Sequence, residues 1–234
     1  MTKPIVVFDL DGTLADTAPD LIATLNFILK REGLREVPLE QANALIGAGA
    51  KALIERGFAQ NNQHLSDGRH NELFDDFIEH YGNNLKNHSR LFDGVKEALD
   101  LLIENGWILA VCTNKIEKHS KILLREFGIL EKFKAICGRD SFHVYKPDPQ
   151  HLLLTIGQAG GDPARAIMVG DSKTDMDTAL AANIKTIGVP FGYTDKPIHE
   201  LGPTLIIDHF EQLYDAVKKI AVSFAPVATT QLSQ

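Results

Sequence analysis

Six short apolar runs, IVVFDL, WILAVCT, FKAIC, AIMVGD, IKTIGV and TLIID, are spread along this chain, and most of the later ones are separated by amphipathic segments. Runs of this length are too short for buried helices. Rich in Val and Ile, they suit strands covered on both faces, as in a parallel sheet. The segment DGVKEALDLLIENG places Val95, Leu99 and Leu102 on one helical stripe. Strands alternating with such helices predict an α/β fold, a Rossmann-like parallel sheet flanked by helices.

One interval breaks that rhythm. Between Thr13 and Thr113 lie roughly 100 residues, where a simple strand–helix–strand unit needs about 30. The extra length is helical in pattern. Leu21, Leu25, Ile28 and Leu29 form one stripe, with Pro19 near its first turn and Gly33 at its end. Leu73, Phe77, Tyr81 and Leu85 form a second. Between them, two short helices should meet at the glycines of LIGAGAK. The expected organisation is an α/β core from residues 1–15 and 88–222 with an α-helical domain, 16–87, inserted after the first strand. The small, polar tail over 223–234 is expected to fray.

Composition narrows the function. Across 234 residues the formal charge is −7, with no basic stripe to offset it, so neither nucleic acid nor an anionic membrane is an expected partner. No apolar run approaches the ~20 residues of a membrane span, and MTKPIVVFDL lacks a secretory layout. Cys112 and Cys137 have no metal-knuckle spacing. The expected compartment is the cytoplasm. His64, His70, His80 and His88 lack zinc-like spacing and are expected at the surface. The stripe on the first inserted helix could pack internally or serve a homodimer, and periodicity does not separate the two.

Ligands of open parallel sheets bind beyond the carboxyl ends of the strands. There this chain places Asp9 and Asp11, Thr113 and Asn114, and Asp171 with Asp175 four residues on, while Lys146 opens a turn in VYKPDP. Converging carboxylates repel one another unless a cation joins them. Oxygen-only ligation selects a hard ion, and Mg²⁺ fits where a phosphate supplies further ligands. A hydroxyl, an amide, a lysine and loop N–H groups can then hold phosphate oxygens. One aspartate can attack phosphorus while the other manages the protons.

In order and spacing, DLDGTLADT, TNK, YKPDP and VGDSKTD resemble the four motifs of the haloacid dehalogenase superfamily of phosphohydrolases, and the inserted helices are similar to its mobile cap. Within the superfamily, LIGAGAKALIERGF, LFDGVKEAL and TNK resemble the phosphoglycolate phosphatases. The resemblance implies Asp9 as nucleophile and Mg²⁺ ligand. Asp11 would be the acid/base and a Mg²⁺ ligand through its backbone carbonyl, and Asp171 the third ligand. Thr113, Asn114 and Lys146 would hold the phosphoryl group, Lys146 also taking part in catalysis, with Asp175 supporting the metal or Lys146 from behind. The implied substrate is a small phosphate monoester, 2-phosphoglycolate first.

Alternatives are a pyrophosphatase, a sugar or nucleotide monophosphatase, a phosphomutase, a dehalogenase (disfavoured by Asp11) and a non-catalytic binding module. Two departures stand out. Phe92-Asp93-Gly94 replaces a common Pro-Gly turn, and Asn183 replaces a helix-ending Gly, a place where Asn tolerates the left-handed conformation. Lys51 and Arg56 suit contacts with a substrate carboxylate, but a solvated helix face is the simpler account of either.

Overall fold

The computed structural model describes residues 3–47, 49–194 and 196–224; the tail beyond 224 lies outside the described residues. In chain order the strands and α-helices are β1 (Lys3–Phe8), β2 (Ala15–Asp16), α1 (Ala18–Arg31), α2 (Ala42–Leu45), α3 (Ala50–Ala59), α4 (Asp67–Gly82), β3 (Arg90–Leu91), α5 (Val95–Glu104) and β4 (Ile108–Cys112). They continue with α6 (Glu117–Glu126), β5 (Ala135–Cys137), α7 (Pro149–Ala159), β6 (Gly161–Gly170), α8 (Lys173–Ala181), β7 (Lys185–Gly188), β8 (Leu205–Ile206) and α9 (Leu213–Ala221).

The six predicted apolar runs form one sheet, ordered β5-β4-β1-β6-β7-β8 and parallel at every pairing. β1 lies inside it because its residues are buried on both faces: Val6 and Phe8 join the larger core, Ile5 and Val7 the core on the opposite side. The strand order reverses beside β1, which opens a crevice beyond its carboxyl end. Cys112 and Cys137 are buried, free and opposite each other on β4 and β5.

The inserted helices form where the stripes predict, except that α4 ends at Gly82 and leaves Leu85, though buried, beyond its last turn. Leu21, Leu25, Ile28 and Leu29 of α1 are all buried, so this stripe packs internally. Leu73, Phe77 and Tyr81 of α4 face the same core. Pro lies in the first turn of α1, where its missing N–H breaks no helical bond. Asn183 takes the left-handed conformation, φ 56°, just beyond α8. The histidine expectation needs correction. His64 and His88 are exposed, but His70 and His80 are half-buried, and the His80 ring stacks on Phe27 with centroids 3.9 Å apart.

The chain leaves and re-enters the α/β layer through the antiparallel pair β2–β3, Ala15 opposite Leu91 and Asp16 opposite Arg90. One carboxylate ties this crossing together. Buried Asp20, in the first turn of α1, accepts from His88 N (3.0 Å), Ser89 N (2.8 Å) and Ser89 Oγ (2.6 Å). Asp20→Ala would strand these donors, and the expected loss is about 2–4 kcal/mol. It should appear as a lower urea midpoint with an unchanged m-value; a parental midpoint would mean that the carboxylate holds nothing.

Candidate active site

Asp9 directly follows β1, its N–H donating to Val169 O of β6 at 3.0 Å. This fixes its carboxylate at the crevice. Asp171 follows β6, and Asp175 lies on the first turn of α8, where it forms a capping box with Ser172. Asp9, Asp171 and Asp175 each present a carboxylate oxygen within 4.8 Å of the others, and all three are buried. Gly12, at φ 82°, closes the loop beneath them: a Cβ there would overlap Asp171 Oδ2.

Lys146 is the cation of this cluster. Its Nζ lies 2.5 Å from Asp175 Oδ1 and 3.0 Å from Asp9 Oδ1. Burial works against the ammonium, but Asp175 and then Asp9 outweigh it and hold its pKa above the ordinary lysine value. One ammonium does not balance three carboxylates. Burial first, with Asp175 and Asp11 adding to it against the pull of Lys146, pushes Asp9 up to about 6. Burial, then Asp175 and Asp9, likewise raises Asp171. Asp9 Oδ1 has no well-directed hydrogen bond despite its closeness to Lys146. A buried, all-oxygen, electron-rich set of this kind fits a hard divalent cation. Asp175 already accepts from Lys146 through Oδ1 and from Ser172 Oγ and N through Oδ2. Asp9 and Asp171 are therefore the side chains best placed to hold an ion.

The Asp11 carboxylate turns away from this cluster. It accepts from Thr17 Oγ1 at 2.7 Å and from Lys115 Nζ at 2.8 and 3.1 Å. Lys115, buried, also donates to Tyr81 Oη at 2.7 Å, so it joins the motif loop to α4 of the helical insert. Burial opposes its charge, but Asp11 and then Tyr81 keep it protonated. Thr113 and Asn114 follow β4. Asn114 Nδ2 donates to Lys146 O at 2.9 Å, which links two of the predicted phosphate-holding residues. Asp9, Asp11, Thr113 and Asn114 line one cavity of about 70 Å³, walled by Leu53, Phe77 and Tyr81 of the insert. Lys51 and Arg56 do not line it. Lys51 donates to Asn71 Oδ1 at 2.7 Å and lies over the Phe74 ring, and Arg56 donates to Leu45 O at 3.0 Å.

Sequence reasoning gave no role to several residues at this site. Thr13 Oγ1 donates to Asp171 Oδ1 at 2.7 Å. Tyr193 N donates to Asp171 Oδ2 at 2.6 Å. The Tyr193 hydroxyl accepts from Thr17 N (2.6 Å) and Ala18 N (2.8 Å) and donates to Asp16 Oδ1 (2.7 Å). Tyr193 thus connects the Asp171 carboxylate to the first crossing into the insert. Thr13 and Lys115 lay within the quoted motifs, DGT and TNK, but Tyr193 carried no signal beyond standing after a strand.

The family profile for haloacid dehalogenase-like hydrolases matches residues 6–189. The chain is 46% identical over 213 residues to the phosphoglycolate phosphatase of Mesorhizobium japonicum, covering 91% of this chain and 94% of that relative. It is 44% identical to the phosphoglycolate phosphatase of Agrobacterium fabrum, over 94% and 95% of the two chains. Among solved structures, a predicted phosphoglycolate phosphatase from Haemophilus somnus superposes with a TM-score of 0.84 at 34% identity, over 92% of this chain and 98% of that one. The fold, the motif spacing and these relatives agree: the chain belongs to the haloacid dehalogenase-like hydrolases.

Proposed function

We propose that this phosphatase hydrolyses 2-phosphoglycolate to glycolate and phosphate through an aspartyl phosphate formed on Asp9, with residues 16–87 acting as a cap over the α/β core of 1–15 and 88–222. That it is a phosphatase follows from its family and its relatives. The observation that carries the mechanism is the shared cavity. Asp9, Asp11, Thr113 and Asn114 all line it, and the Lys146 ammonium stands 3.0 Å from Asp9.

In the first step an Asp9 oxygen attacks phosphorus and the P–O bond to the alkoxide breaks. Asp11 delivers a proton to that departing oxygen. In the second step Asp11 takes a proton from water, whose oxygen attacks phosphorus and frees Asp9 with inorganic phosphate. Lys146, Thr113 and Asn114 hold the phosphoryl oxygens while charge moves onto them. Asp9, the Asp11 carbonyl and Asp171 would hold Mg²⁺, which when bound supplies positive charge to the phosphoryl oxygens and lets Asp9 remain ionised. Asp175 keeps Lys146 in place.

The apolar walls and small volume of the cavity favour a compact leaving group over a nucleoside. The test is kcat/KM for phosphate release with Mg²⁺, comparing 2-phosphoglycolate with pyrophosphate, glucose phosphates and nucleoside monophosphates. A preference of at least a hundredfold is expected, about 2.7 kcal/mol of transition-state discrimination. A flat profile would leave a phosphatase whose leaving group is something else.

A further inference from the structure

We propose that Arg139 recognises the carboxylate of the substrate; this rests on 2-phosphoglycolate being that substrate. Arg139 stands two residues beyond the end of β5 and lines the same cavity as Asp9, Asp11 and Asn114. The other cations near the reacting groups are committed, Lys115 to Asp11 and Lys146 to Asp9 and Asp175. His119, also in the wall, is kept toward the neutral form by burial and then by Lys115 and Lys118. Among the described residues no carboxylate forms an ion pair with Arg139. A permanent cation in the cavity wall, with no carboxylate paired to it among the described residues, is poised to take one from the ligand.

The guanidinium is also held in place. Its Cζ lies over the Tyr145 ring, 4.0 Å from the centroid, and Tyr145 directly precedes Lys146. Arg139 N donates to Lys115 O at 3.0 Å, and Gly138 before it lets the two loops touch, since a Cβ there would collide with Lys115 O and Glu117 N. Arg139, on the loop after β5, is therefore tied to the neighbouring loop that carries Thr113 and Asn114. Gly49, the residue before α3, lines the same cavity. A Cβ built on Gly49 would be 3.6 Å from Arg139 Nη1 and 3.9 Å from Asn114 Cβ. Arg139 and Asn114 thus border one point of the cavity. In 2-phosphoglycolate only an ester oxygen and a methylene separate phosphorus from the carboxylate carbon. A phosphoryl group at Lys146 and Asn114 leaves that carboxylate within the compass of the Arg139 fork, whose parallel N–H groups match it.

The experiment compares 2-phosphoglycolate with 2-hydroxyethyl phosphate, its equal in length but with CH₂OH in place of the carboxylate, in the parent, Arg139→Gln and Arg139→Lys. The quantity read is the ratio of the two kcat/KM values. In Arg139→Gln that ratio should fall roughly 10- to 100-fold, mostly through a higher KM for 2-phosphoglycolate. Arg139→Lys should recover part of it, since the charge returns without the fork. A parental ratio in Arg139→Gln, or an equal loss on both esters, would overturn the assignment. A parent that does not prefer the carboxylate-bearing ester would overturn the substrate itself, and Arg139's role with it.

Discussion

Asp9→Asn is expected to lower kcat for phosphate release by at least about 10⁴-fold, the scale seen when a nucleophile is removed from a machinery that acts as a unit. Asparagine keeps the shape of aspartate but cannot become an acyl phosphate, so only water attacking unaided remains. The loss should not come from unfolding. Asp9 is buried among other carboxylates, and its ionised form is disfavoured, as its pKa of about 6 records. A neutral isostere removes that repulsion, while Lys146 keeps Asp175 at 2.5 Å. The melting temperature measured without metal should therefore hold or rise. Asp11→Asn should behave differently. With an alkyl phosphate the departing alkoxide needs a proton, and the step slows. With p-nitrophenyl phosphate the leaving group needs none, so phosphorylation of Asp9 should be far less affected than its hydrolysis, and a burst of nitrophenol should precede slow turnover. Asp9→Asn retaining a tenth of parental turnover would dispose of the aspartyl phosphate.

Much of this molecule is legible in the chain because the informative patterns are local. Ile5–Phe8, Ile108–Cys112 and Ala166–Gly170 announce buried strands by being apolar without alternation, and all lie side by side in the sheet. Once those strands are parallel, their carboxyl ends gather Asp9, Thr113 and Asp171 without any knowledge of side-chain geometry. Asn183 at a left-handed position is read the same way, from the conformation its residue type tolerates.

What escaped depends on side-chain direction and on partners far away in sequence. Nothing in TNK says that Lys115 turns to Asp11, 104 positions earlier, and to Tyr81 of the insert. Tyr193 hydrogen-bonds the backbone of Thr17 and Ala18 across more than 170 positions, and a single tyrosine has no periodicity to mark it. The same holds for His80, whose ring is covered by Phe27 from another helix. Arg139 carries no signal in the sequence, since a cation two residues beyond a strand has an ordinary solvated explanation. Its position in the cavity, without a carboxylate partner among the described residues, became visible only in three dimensions.

The second large effect concerns the cation. Adding a chelator to the purified protein is expected to reduce turnover at least about 10³-fold, with recovery on excess Mg²⁺. Binding should also register in the protein itself, with a pH dependence fixed by the carboxylates. Without metal, Asp9 titrates near 6 in the folded chain, against its ordinary 3.8, and Asp171 is raised as well. Between pH 4 and 6 the folded state thus holds protons that the unfolded chain has lost. By linkage, the contribution of Asp9 is fully present below about pH 4 and is lost as pH rises through 6, and that of Asp171 is lost in the same direction. A divalent cation competes for the same oxygens and must displace those protons, so it binds better as they leave. At a hundredfold excess over Kd, Mg²⁺ should add about 2.7 kcal/mol, or roughly 5–10 °C in melting temperature for a chain of this size. At fixed Mg²⁺ the gain should be at least twice as large at pH 7.5 as at pH 5, and Asp171→Asn should remove most of it. Equal gains at both pH values, or a gain untouched by Asp171→Asn, would put the ion somewhere other than beside Asp9.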